Sequence, residues 1–205
     1  MFLEGKRIYL REITQEDVAD NYYDWMSDPE VTKYLESRYW PQSKERIAEY
    51  IASMKPPENI FLAIISKEIP GRHIGNIRLS INLFHRFAEI GLIIGIKSLW
   101  GKGYGTEAIS LVRDYAFGKL SLLKLTAGSY VTNTASIKAF KKAGFVEEGL
   151  LRKQYHTEYG KRTDEVVLGC LAEEYWTWPT SSATTTDYSF KLSPEAAASL
   201  ASQRE

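Results

Sequence analysis

The stretch Leu92-Ile93-Ile94-Gly95-Ile96-Lys97-Ser98-Leu99-Trp100-Gly101-Lys102-Gly103-Tyr104-Gly105-Thr106-Glu107 constrains this chain more than any other. An apolar run of strand character passes through closely spaced glycines and straight into a helical pattern carried by Ala108, Ile109, Leu111, Val112, Tyr115 and Ala116. Unpaired backbone N–H groups and the positive end of the helix then converge on one spot, which suits a phosphate or pyrophosphate. Glycine matters there because a Cβ would hold an anion away from the backbone, and because left-handed dihedrals cost glycine little. A P-loop does not fit: Gly95 and Gly101 are separated by five residues where that motif has four, and Gly103 replaces its hydroxyl residue. A dinucleotide-binding turn fits Gly103-x-Gly105-x-x-Ala108, but about 20 positions later, where an acidic residue belongs, stand Lys124, Leu125 and Thr126. A plain linking turn also remains open at this point.

The rest of the chain falls into elements around this run. Residues 7–11 read as a strand, and Thr14, three positions before Asp17, opens a helix through Val18, Tyr22, Trp25 and Met26 that Asp28-Pro29 ends. Ser43 starts a second helix bearing Ile47, Tyr50, Ile51 and Met54, and Pro56-Pro57 stops it. Strands are expected over residues 61–65, 73–81 and 87–96, with turns at Gly71 and residues 82–86. Beyond the glycine-rich run come a strand at 124–131, a helix at 133–143 closed by Gly144, and a hairpin of 145–155 and 161–171 about Glu158-Tyr159-Gly160. This order predicts one mixed α/β layer system without internal repeats.

Composition narrows the class. The 205 residues carry 26 basic and 26 acidic side chains and are 44% apolar, which suits one soluble domain and discourages a phosphate-tracking, nucleic-acid-binding surface. Residues 1–10 lack the pattern of a signal peptide, and no apolar run nears the ~18 residues of a membrane span, so a cytoplasmic protein without membrane partners is expected. Cys170 is alone and sits in an apolar run, as a buried structural thiol would. A domain over 1–176 is expected, followed by a flexible, non-catalytic tail at 177–205, where Ser193-Pro194-Glu195 could cap a short alanine-rich helix.

Downstream, Asn133-Thr134-Ala135-Ser136-Ile137-Lys138-Ala139-Phe140-Lys141-Lys142-Ala143-Gly144-Phe145 begins where a strand ends. It resembles the second signature of the GNAT superfamily of acetyl-CoA-dependent acyltransferases, and Trp100 to Glu107 resembles that superfamily's pyrophosphate loop. The likeness extends over residues 6–172. It is nearest the branch of ribosomal-protein alanine, spermidine and nucleotide-amino-sugar acetyltransferases, on Ile8-Tyr9-Leu10-Arg11, residues 24–31, Ile74-Gly75-Asn76-Ile77, Glu89-Ile90-Gly91 and the loop itself. One departure is Trp100, where many relatives carry Gln or Arg.

The resemblance implies an α/β (α+β) fold with a mixed, mostly antiparallel central sheet of about seven strands, helices on both faces and a splayed strand pair at the cofactor site. It implies acetyl-CoA as co-substrate, no metal, and a cofactor site of Leu92, Ile93, Ile94, Trp100, Gly101, Lys102, Gly103, Tyr104, Gly105, Thr106, Asn133 and Ser136. Lys97, Lys102, Lys138, Lys141 and Lys142 would add local positive charge. Acyl transfer to an amine needs a neutral amine, a donor to the developing oxyanion and an acid for the departing thiolate. The family's usual acid is a Tyr seven residues after the motif Asn; here Phe140 cannot donate, and Ser136 becomes the candidate. Its alternative is a bond to its own helix backbone. Glu89 is the candidate base, against a cross-strand pairing with a residue such as Arg78, and His85 and His156 are alternatives that otherwise read as surface histidines.

Tyr34, Arg38, Tyr39, His85 and Tyr155 are the candidates for contacting a small-molecule amine. Aromatic faces beside Arg and Glu suit a nucleotide-linked amino sugar, and equally a peptide N-terminus or a hydrophobic lid. A polyamine acceptor, a catalytically inactive acyl-CoA-binding module and a nicotinamide-dependent oxidoreductase stay open beside these. The resemblance admits a homodimer through an edge strand of the terminal hairpin, although no residue requires it.

Overall fold

A computed structural model describes residues 1–69, 71–157 and 160–177 of the protein. Its strands are β1 (Leu3–Glu4), β2 (Ile8–Glu12), β3 (Asn59–Ser66), β4 (Arg72–Asn82), β5 (Phe87–Ile94), β6 (Lys124–Tyr130), β7 (Val146–His156) and β8 (Arg162–Leu171). They form one eight-stranded sheet in the order β1-β2-β3-β4-β5-β6-β8-β7. Every neighbouring pair is antiparallel except β5 and β6, which run parallel. Parallel neighbours need a crossover, and α4 (Tyr104–Gly118) supplies it. The eighth strand beyond the expected seven is β1, two residues long and too short to leave a periodic signal.

Helices pack on both faces. On one, α4 and α5 (Thr134–Lys142) bury Ile109, Val112, Phe117, Ile137 and Phe140 against Leu10, Ile64, Leu79, Ile90 and Leu125. On the other, α1 (Tyr23–Ser27), α2 (Pro29–Thr32) and α3 (Lys44–Ser53) bring Trp25, Val31, Ile47 and Ile51 onto Phe61, Ala63 and Ile65. Strand β3 thus feeds both cores, which is why residues 61–65 read as an unbroken apolar run and not as an alternation.

Local chemistry fixes the boundaries. Asp28 is extended and accepts from the Glu30 N–H at 2.9 Å, ending one helix and capping α2; Ser43 caps α3 through the Arg46 N–H at 3.2 Å. The segment after Thr14 differs from expectation. The Asp17 carboxylate accepts the Thr14 N–H at 2.8 Å, as in half of a capping box, but the chain then makes a π-helical turn, Val18–Tyr22, before α1. After β8 a short helix, α6 (Ala172–Thr177), follows directly. The expected tail beyond it, with its capped alanine-rich segment, and the turn residues Glu158 and Tyr159 lie outside the described residues. Among the described residues no helix is long and apolar enough to cross a membrane.

Candidate active site

Strands β5 and β6 pair only at Phe87↔Lys124, Ala88↔Leu125 and Glu89↔Thr126. Beyond Glu89, β5 stays on β4 as far as Ile94, while β6 follows β8 as far as Tyr130, so the two parallel strands part at their carboxyl ends. In sheets of this kind, ligands enter where neighbouring strands separate at those ends. The Gly95 N–H bonds to the Ile74 carbonyl at 2.9 Å, which fixes the alternation along β5. The backbone of Ile93 points to β4, and that of Leu92 and Ile94 points into the gap. Of the three residues expected to offer backbone to the cofactor, the register therefore turns Ile93 away.

Helix α4 begins at the mouth of this gap. Gly101 (φ 70°) and Gly103 (φ 90°) both hold left-handed backbone, and Gly103 precedes the first helical turn. The N–H groups of Tyr104, Gly105 and Thr106 are the free donors of that turn. Gly105 lets the helix settle on β5, because a Cβ there would lie 3.3 Å from Leu92 Cδ1. These residues fit a pyrophosphate and its pantetheine arm: fixed N–H donors at a helix start, continuing into two outward-facing peptide groups of a strand edge.

The loop is pinned from both sides. The Trp25 ring fills the space a Cβ on Gly95 would need, and Lys97 Nζ bridges Asp28 (2.9 Å) and Glu30 (2.7 Å). Lys97, expected to add charge to the cofactor face, is thus neutralised by the α1–α2 junction; Lys141 is likewise held by Glu147 at 2.7 Å. Opposite, Arg7 Nη1 donates to the Lys102 carbonyl at 2.7 Å, its guanidinium stacks 4.1 Å from the Tyr104 ring centroid, and it forks onto Glu68 at 2.9 and 3.0 Å. The Tyr104 hydroxyl donates to the same carboxylate. Arg7 and Tyr104 together hold the Glu68 carboxyl down at about 2. Tyr104 is buried, so only its backbone is available to a ligand. Trp100, which replaces a side-chain donor of the family, turns its indole N–H inward to the Ile94 carbonyl at 2.7 Å.

Helix α5 starts at the end of β6, beside the same gap. Asn133 is its cap, accepting the Ser136 N–H at 3.3 Å. Among the described residues nothing bonds Ser136 Oγ, whereas Ser110 Oγ, in α4, bonds back to the Thr106 carbonyl at 3.0 Å. Phe140, four residues on, is buried edge-to-face on Phe145.

Four of the five expected acceptor residues come together on the α1–α3 side of the sheet. Tyr34 (hydroxyl to the Thr132 carbonyl, 3.2 Å), Arg38, Tyr39 and Tyr155 surround Tyr130, whose ring stacks on Tyr155 at 4.1 Å. Of these, Tyr39, Tyr130 and Tyr155, with Glu36, Trp40, Gln154 and His156, wall an open cleft of about 430 Å³. Tyr130 belongs to this site although no motif marks it; the only signal for it in the sequence is the alternation that sets it on the same face as Thr126 and Gly128. Arg38 is structural: Nη2 donates to the hydroxyls of Tyr39 (2.7 Å) and Tyr130 (3.0 Å) and to the His156 carbonyl (2.8 Å), and Nη1 to the carbonyls of Lys33 (2.5 Å) and Leu35 (3.3 Å). It ties the segment after α2 to the terminal hairpin. His85 does not join them. It is exposed in the turn before β5, at the end of the parallel pair opposite the gap.

Glu89 stands on the cleft side of β5 at the last β5–β6 pair, exposed, with Arg78 Nη2 3.8 Å away, so the cross-strand alternative is the contact observed. Cys170 is buried, and burial pushes its thiol up to about 11, which removes it as a nucleophile. Among the described residues no three His, Cys, Asp or Glu side chains are grouped so as to hold a metal ion.

A family model described as an acetyltransferase (GNAT) domain matches residues 7–146. The uncharacterized N-acetyltransferase p20 of Bacillus licheniformis is 34% identical over 179 residues, 84% of this chain and 97% of that protein. A spermidine N(1)-acetyltransferase of Vibrio cholerae is 36% identical over 97 residues, 47% of this chain and 55% of its own. The fold is shared with the crystal structure of spermidine N-acetyltransferase from Vibrio cholerae in complex with CoA and spermine, at a TM-score of 0.72 and 24% identity, covering 82% of this chain and 98% of that one.

Proposed function

Because the chain belongs to the GNAT acetyltransferase family, and is an N-acetyltransferase by its relatives, we propose that it moves the acetyl group of acetyl-CoA to the primary amine of a small molecule, by direct attack in a ternary complex. The observation that carries this reading is the gap between β5 and β6, with the first turns of α4 and α5 at its mouth and the aromatic cleft on the α1–α3 side. Bound acetyl-CoA supplies an activated thioester carbon and a thiolate leaving group. The glycine-rich turn from Gly101 to Thr106 binds its pyrophosphate through backbone N–H groups. The outward N–H groups of Leu92 and Ile94 hold the pantetheine arm and meet the oxyanion as the amine attacks. Ser136 hands its hydroxyl proton to the departing sulfur. That the Vibrio cholerae structure contains CoA and spermine supports a CoA donor and an amine acceptor.

For the acceptor, a nucleotide-linked amino sugar keeps the exposed rings of Tyr39 and Trp40 beside Tyr155 but not the guanidinium expected for its phosphates, since both terminal nitrogens of Arg38 are engaged. The cleft itself favours an acceptor whose body lies on the exposed Trp40 ring and whose charge is positive, since the Glu36 carboxylate is among its walls and an indole face binds cations well. The test is CoA release from acetyl-CoA with a panel of amino sugars, nucleotide amino sugars, polyamines and peptides beginning with Ala or Ser. Turnover with at least one amine, abolished in Gly103→Val, is the expected result; acetyl-CoA binding with no CoA released by any amine would leave only a binding module.

A further inference from the structure

The reaction requires a group that takes the proton of the incoming ammonium, and two carboxylates share the cleft side of the sheet at the gap. We propose that Glu165, on β8, is that group and that it also selects for a cationic acceptor; the proposal rests on the acetyltransfer reading above.

Glu165 pairs with Tyr130 across β8 and β6 and is half-buried. Its carboxylate reaches back over β6 and occupies the space that a Cβ would take on Gly128, a residue two positions past the last β5–β6 pair. A carboxylate therefore lies where the strands have just parted, and Gly128 is what lets it in. The same Gly128 site is approached by the Tyr155 hydroxyl, at 3.3 Å from the Cβ position. Burial, followed by the adjacent Glu165 carboxylate, pushes the Tyr155 hydroxyl well above its usual range, so it stays a neutral donor. The stacked rings of Tyr130 and Tyr155 wall the cleft beside this point.

Charge separates the two carboxylates. An ammonium approaching Glu89 also approaches the Arg78 guanidinium, 3.8 Å from it. None of the ion pairs among the described residues includes Glu165 or Glu36. The groups facing Glu165 are Tyr155 from β7 and Tyr130 from β6, with Glu36 and Arg38 behind them in the segment after α2; Arg38 directs its terminal nitrogens to phenol and carbonyl oxygens. In the step proposed, an N–H bond of the ammonium breaks and its proton goes to Glu165. The freed nitrogen lone pair then forms the bond to the acyl carbon as the carbon–sulfur bond opens, the second proton now surplus on that nitrogen replaces the one Ser136 has given to the sulfur, and Glu165 later returns its own proton to solvent.

Wild type, Glu165→Gln, Glu165→Asp and Glu89→Gln would be compared in CoA release with spermidine and with glucosamine, across pH, alongside acetyl-CoA binding by calorimetry. Glu165→Gln should lower kcat/KM for the amine by about 100-fold or more near neutral pH, with acetyl-CoA affinity unchanged, the ordinary scale of a lost general base. The deficit should shrink as alkaline pH supplies the neutral amine directly, a recovery that damage to the fold would not show. Glu165→Asp should retain part of the activity, which covers the case in which the amide is not tolerated. Equal kcat/KM in wild type and Glu165→Gln, or a loss confined to Glu89→Gln, would overturn the assignment and leave acetyltransfer standing. A wild-type protein that releases no CoA with any amine would instead remove the parent reading.

Discussion

The Arg7 guanidinium donates a 2.7 Å hydrogen bond to the carbonyl oxygen of Lys102, joining the start of β2 to the anion-binding turn across 95 positions of sequence. That bond fixes the peptide immediately before Gly103, so the orientation of the first free N–H groups of α4 depends on a residue that touches no ligand. Arg7→Ala should raise the KM for acetyl-CoA about tenfold, equivalent to ~1.4 kcal/mol, and leave kcat within about twofold. Arg7→Lys should not restore it, because an ammonium cannot stack on Tyr104 and fork onto Glu68 at once. Steady-state kinetics with acetyl-CoA varied checks this; a change in kcat alone would refute a positioning role.

A second prediction concerns the other side of the loop. Gly95 has no Cβ because the Trp25 ring occupies its place. Gly95→Ala must push α1 off the end of β5, and overpacking of this kind costs ~1–3 kcal/mol. The expected fall in Tm is roughly 2–10 °C for a chain of this size, with partial recovery in the double variant Gly95→Ala/Trp25→Leu. Thermal unfolding of the three proteins decides it.

These two contacts mark where sequence and structure part company. The glycine-rich run and the Asn133 helix announce themselves locally, because dihedrals, caps and periodicity act over a few residues, and both came out within a residue or two of the elements observed. The splay of β5 from β6 was legible only through resemblance. What set the loop and the cleft in place was not legible: Arg7 meets Lys102, Glu165 meets Gly128, and Arg38 meets His156 only after the sheet order is known. Arg38 shows the cost most clearly, since an arginine among aromatics suits a phosphate until its five acceptors are counted.

Ser136 leads to a smaller effect than its place suggests. A departing thiolate of ordinary pKa, about 8.5, needs little protonation near neutral pH. Ser136→Ala should therefore lower kcat only about tenfold, below the usual range for an essential acid, with the KM for acetyl-CoA unchanged. Pre-steady-state measurement of CoA release would show whether the chemical step is the one slowed; an unaltered rate would mean that the thiolate leaves unprotonated.

The last prediction rests on a buried ionisable pair beneath α1. His73 is almost fully buried, edge-on to Trp25, and its Nε2 meets the Gly75 carbonyl at 3.0 Å and Asn76 Oδ1 at 2.7 Å. A carbonyl can only accept, so Nε2 carries the proton and Nδ1 faces Asp17, 3.4 Å away, whose carboxylate Arg11 grips at 2.6 and 2.8 Å. Burial lowers the His73 pKa more than Asn76 and Asp17 raise it. The imidazole is thus neutral in the folded state at pH values where the unfolded chain has begun to protonate it, and the unfolded state binds more protons below about pH 6.5. Stability should therefore be complete above that pH and decline as pH falls from 6.5 toward the lower folded value. Asp17 is depressed despite its burial, chiefly by Arg11 and the Thr14 N–H, so its contribution is present above its ordinary value of 3.8 and is lost only at lower pH. The two windows do not coincide, which makes the histidine separable. In urea unfolding followed from about pH 7.5 down to about pH 5, wild type should lose stability and His73→Gln should start less stable but lose less over the same range. Parallel slopes for the two proteins would show that His73 does not titrate on unfolding and that the acid sensitivity lies elsewhere.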